Sequence, residues 1–85
     1  MKQFTYVITD AQGIHARPAG TLVKVVKEFS STITIAKDGK EVKANGVLGV
    51  MSLGAKQGEE ITIKADGADE DAAIAKLEEF LKANL

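Results

Sequence analysis

The sequence predicts an α+β fold: an open-faced β-sandwich in which a four-stranded antiparallel sheet carries three helices on one face, in the order β-α-β-β-α-β-α. Three observations predict it. The extended runs alternate apolar and polar residues, so each has one face to bury and one to leave in water. Two longer segments repeat their apolar residues at helical spacing. Asp38-Gly39 stands between two extended runs, where a two-residue type I′ hairpin requires positive φ at both central positions. No internal repeat, linker or low-complexity tract divides the chain, so residues 1–85 are read as one domain.

Residues 3–8, QFTYVI, place Phe4, Tyr6 and Ile8 on one side of a first strand. Asp10 to Gly13 supply turn chemistry. From Arg17 to Phe29 the apolar residues Ala19, Leu22, Val23, Val26 and Phe29 form a helical stripe, with Lys24, Lys27 and Glu28 opposite. TITIA (32–36) points Ile33 and Ile35 to one face, and EVKA (41–44) is its short return strand. GVLGVMSLG (46–54) is too apolar for a surface loop and predicts a short helix over 47–53 closed by Gly54. EITIKA (60–65) gives the fourth strand, with Ile61 and Ile63 inward. Asp66 to Asp69 supply a turn and an N-cap. From Glu70 to Leu85, Ala73, Ile74, Leu77, Phe80 and Leu81 make the last amphipathic stripe.

Bulk properties exclude several classes. A chain of 85 residues lies near the lower end of what an apolar core alone can fold. The net charge of −1 opposes nonspecific nucleic-acid binding, which needs a basic face. There is no cysteine, hence no disulfide framework and no thiolate metal site. MKQFTYVITD has no apolar signal core, and no run approaches membrane-spanning length, so a cytoplasmic protein without membrane insertion is expected.

GIHARPAG (13–20) contains the only histidine and the only proline. Pro18 suits the first turn of a helix, where its missing N–H costs nothing. His15 and Ala16 then stand at a helix N-terminus, whose free N–H groups and dipole attract anions. Arg17 adds a guanidinium able to hold phosphate oxygens in a fork. Cationic residues at this end of a helix are mildly unfavourable. His15 and Arg17 together are better explained by an anion that is present part of the time than by a plain surface. Neutral imidazole is also a competent nucleophile near neutral pH.

GIHARPAG, GVMSLGAKQG (49–58) and GADEDA (67–72), spread over essentially the whole chain, closely resemble the HPr family, the histidine-containing phosphocarriers of the bacterial phosphoenolpyruvate:sugar phosphotransferase system. The resemblance implies that His15 accepts a phosphoryl group on Nδ1 from phosphorylated enzyme I and passes it to the IIA domains of sugar permeases. It implies that Arg17 pairs with that group and that the Ala16 and Arg17 backbone N–H groups lie close to it. In the short helix, Val50 and Leu53 can share an inner face, leaving Val47, Leu48 and Met51 outward. Pattern alone equally allows a wholly buried helix. The resemblance assigns these outward residues to the apolar patch that docks enzyme I and IIA domains. Lys24 and Lys27 read as solvated charge, and the resemblance adds secondary contacts to acidic partners. A monomer that needs no cofactor or metal is expected, a carrier rather than an autonomous catalyst.

One departure is evident. Where many Gram-positive members carry a regulatory serine, this chain has Gly46, so phosphorylation of that hydroxyl is not expected. A paralogue acting in a regulatory or nitrogen-related phosphorelay is the alternative, sharing His15 chemistry and differing only in donor and acceptor. GVLG (46–49) formally fits the Gly-x-x-Gly loop of an RNA-binding KH domain but lacks the basic flanks. DGADED (66–71) lacks the alternating acidic spacing of a calcium loop, and its acids suit the start of a helix.

Overall fold

The computed structural model describes residues 1–85. The elements follow in the expected order: β1 (Lys2–Val7), α1 (Ala16–Val26), β2 (Thr32–Lys37), β3 (Lys40–Lys43), α2 (Val47–Met51), β4 (Glu60–Asp66) and α3 (Glu70–Asn84). The four strands form one antiparallel sheet in the order β1-β4-β2-β3. Its register explains the alternation in the sequence. Phe4, Ile63, Ile35 and Val42 stand side by side across the sheet, with Ile63 and Ile35 fully buried. One residue along, Gln3, Lys64, Thr34 and Lys43 form the matching row on the open face. A one-residue slip would exchange these rows and put the isoleucines in water, so burial fixes the register. Asp38 and Gly39 both take positive φ, 50° and 83°, as the hairpin turn demands.

Twenty-one buried apolar residues form a single core cluster to which every helix contributes. Helix α3 packs on β1 and β4, α2 packs on β3, and α1 lies against both other helices. Contact on two sides widens the buried stripe of α1 to Pro18, Ala19, Leu22, Val23, Val25 and Val26. The expected stripe omitted Val25. The helix also ends earlier than the apolar spacing predicts. After Val26 the N–H groups of Glu28 and Phe29 turn to the Val25 and Val26 carbonyls, a tightened last turn that leaves Phe29 outside the helix and half-buried. Helix α2 similarly closes at Met51. Leu53 still packs inward, and Gly54 takes φ 62° just beyond.

A second difference concerns Asp69. It stands at the N-cap position of α3, but its side chain makes no cap bond. Its carboxylate instead accepts the backbone N–H groups of Ser30 and Ser31, at 2.8 and 3.0 Å, and the Ser31 hydroxyl. These donors hold the Asp69 carboxyl below its ordinary range, the Ser31 hydroxyl bond contributing most. Gly67 fits flush against Ser31, where a Cβ would collide with the Ser31 backbone and side chain. The start of α3 is thereby fastened to the α1–β2 connection.

Candidate functional site

The loop carrying His15 is built mainly from backbone bonds. Asp10 opens a turn in which its main-chain oxygen accepts the Gly13 N–H at 2.9 Å and its Oδ1 accepts the Gln12 N–H at 2.8 Å. Gly13 takes φ 66° against the Ala55 carbonyl and Lys56, a space that no Cβ could share. Ile14 is buried and donates to the same Ala55 oxygen at 3.0 Å. On the other side, the Asp10 N–H and the Thr9 hydroxyl donate to the main-chain oxygen of Leu85, at 2.9 and 2.7 Å. The loop is thus pinned between the segment after α2 and the end of α3.

His15 emerges from this clamp as the N-cap of α1, with extended backbone, φ −109° and ψ −177°, and no side-chain cap bond. Its carbonyl accepts the first intrahelical bond, from Ala19 at 3.0 Å. Pro18 has no N–H, so the Ala16 and Arg17 amides remain ahead of that bond without an intrahelical acceptor. No acidic residue occupies the first turn, whereas Lys24 lies in the last. The helix end therefore retains its partial positive charge. The imidazole is half-buried, and Ala16 and Arg17 are exposed.

These residues border a shallow recess of ≈ 250 Å³ lined by Asp10, His15, Arg17, Pro18, Thr21 and Asn84. Sequence reasoning found His15, Arg17 and Pro18. It missed Asp10, Thr21 and Asn84, which reach the recess through the turn, one helical repeat after Arg17, and the last turn of α3 respectively. Only Thr21 left a signal, since i and i+4 share a helix face. The Thr21 hydroxyl donates to the Arg17 carbonyl at 3.2 Å.

The expected docking residues divide. Leu48 is 84% exposed, the most exposed large apolar side chain of the protein, and Met51 is 37% exposed. Val50 and Leu53 are buried as expected. Val47 departs from expectation: it is half-buried and packs against the core, because the first turn of α2 leans on its neighbours. Lys24 and Lys27 are exposed, and neither they nor Arg17 join an ion pair. The α2 chain runs through Leu53 directly into Ala55, the residue that holds the His15 loop.

Residues 2–83 match the family described as "PTS HPr component phosphorylation site". The chain belongs to the HPr phosphocarrier family. A histidine-containing phosphocarrier protein of Mycoplasma shares 41% identity and superposes with a TM-score of 0.93, the match covering 96% of this chain and 93% of that one. An HPr from Thermoanaerobacter tengcongensis is also 41% identical with a TM-score of 0.93, covering 98% and 93% of the two chains. An HPr dimer from that organism aligns at a TM-score of 0.77. The phosphocarrier protein HPr of Bacillus anthracis is 35% identical over 94% and 95% of the chains, with a TM-score of 0.87. HPr membership places the protein among the carriers of the phosphotransferase system. No helix of the structure is long and apolar enough to cross a membrane.

Proposed function

We propose that this protein is the phosphoryl carrier between phosphorylated enzyme I and the IIA domains of sugar permeases, with His15 as the residue that takes the group. The carrying observation is the start of α1: a lone, half-buried imidazole at a helix N-terminus whose first turn holds no acid, beside unpaired Arg17. The Nδ1 lone pair attacks phosphorus, an N–P bond forms, and the bond to the donor breaks. The Ala16 and Arg17 N–H groups and the Arg17 guanidinium stabilise the transferred oxygens. The N–P bond is labile, so the step runs forward to an acceptor.

The open position of His15 supports docking of donor and acceptor in turn, and favours a carrier over an autonomous catalyst. Leu48 and Met51 offer an apolar patch, with Lys24 and Lys27 as charged contacts. Val47, half-buried beside them, adds its exposed part to the patch. We read the working form as a cytoplasmic monomer of one domain, without cofactor or metal. Gly46 supplies no hydroxyl for a serine kinase.

Intact-mass analysis after incubation with enzyme I, magnesium and phosphoenolpyruvate tests the reading. One acid-labile phosphoryl adduct is expected on the wild type and none on His15→Ala. A folded wild type that stays unmodified would sink it and turn attention to a nitrogen-related donor.

A further inference from the structure

We propose that Asp10 sets how tightly His15 holds its phosphoryl group, the Asp10 carboxylate sharing the recess with the imidazole and opposing the negative charge that arrives there. The inference rests on the carrier reading above and addresses what keeps the grip loose.

Arg17 is the one cation lining the recess and Asp10 the one anion. Asp10 is held in place: its N–H donates to Leu85, its main-chain oxygen accepts from Gly13, and its Oδ1 accepts from Gln12. It belongs to no ion pair. The turn that delivers His15 therefore also delivers an unneutralised carboxylate. Asp10 and His15 line one recess of ≈ 250 Å³, a scale on which a Debye length of about 8–10 Å leaves repulsion incompletely screened at ordinary salt. A helix N-terminus and an arginine both favour retention of the group. A carrier must also release it, and a fixed opposing charge raises the free energy of the loaded form.

The relevant equilibrium is phosphoenolpyruvate plus protein giving phosphoprotein plus pyruvate. The enol O–P bond breaks and the Nδ1–P bond forms. The imidazole proton ends on the methyl group of pyruvate, so charge and atoms balance. The endpoint is independent of how well enzyme I docks.

The test compares wild type, Asp10→Asn and Asp10→Ala at a fixed phosphoenolpyruvate-to-pyruvate ratio, with catalytic enzyme I and magnesium, by intact mass. Asparagine keeps the Oδ1 acceptor for Gln12, so the turn survives while the charge is lost. Both variants are expected to raise the equilibrium constant about three- to tenfold at low salt, shrinking below about twofold in 1 M salt as screening removes the repulsion. An Asp10→Asn constant equal to wild type at low salt would overturn the proposal, as would a rise indifferent to salt. A change confined to Asp10→Ala would make Asp10 a turn residue only. No adduct on wild type would instead remove the carrier reading, and this inference with it.

Discussion

The two long helices begin in opposite ways. Helix α3 opens with Glu70 and Asp71 in its first turn, and Glu70 reaches back to accept the Gly67 N–H at 3.3 Å. Helix α1 opens with Ala16, Arg17 and Pro18, preceded by a histidine that caps nothing. The first end is filled by the chain's own carboxylates, whereas the first turn of the second holds none. On the proposed reading, the same dipole stabilises the fold in one place and receives the phosphoryl group in the other. A binding end of this kind is recognised by what the chain withholds from it.

Three substitutions probe the contrast. The largest effect is expected from Gly13→Ala, which adds a Cβ at positive φ against the Ala55 carbonyl. It should cost about 2–3 kcal/mol in urea unfolding and displace the His15 loop. A loss below half of that would show that the clamp yields. Next is Asp69→Asn, which removes the charge that binds α3 to the α1–β2 connection. The carboxyl is depressed in the folded state, so its stabilisation is fully present above the ordinary value of 3.8 and is lost as pH falls through the depressed one. The melting temperature should fall by several degrees at neutral pH, with the gap to wild type closing only in acid below 3.8. A gap unchanged down to strong acid would deny the charge any part. The smallest effect is expected from Ala16→Glu, which gives α1 the acidic first turn of α3. Folding should gain about 0.3–1 kcal/mol while phosphorylation at equilibrium declines. Gain in both would break the argument that the empty end serves an anion.

Much of this was legible in the sequence because it depends on neighbours. Alternation gave the strands their faces, Asp38-Gly39 gave the hairpin, and His15, Arg17 and Pro18 marked the start of α1 by residue type alone. What escaped depends on distant parts meeting. Ser30 and Ser31 have no local motif, and their partner Asp69 lies nearly forty residues away. Asp10 and Asn84 join His15 only when the end of α3 meets the loop after β1. The inward lean of Val47 reflects packing of α2, which periodicity over five residues cannot resolve. The apolar spacing likewise ran past the true end of α1, because Phe29 packs beside the core without being helical.

The strand order carries a consequence for biosynthesis. β1 pairs only with β4, Lys2 facing Ala65, so it must wait for most of the chain behind it before it finds its neighbour. The His15 loop waits as well, since its anchors are Ala55 and Leu85. Such long closures slow folding. A chain that lacks Ala55 and Leu85 therefore lacks the anchors that organise the His15 loop.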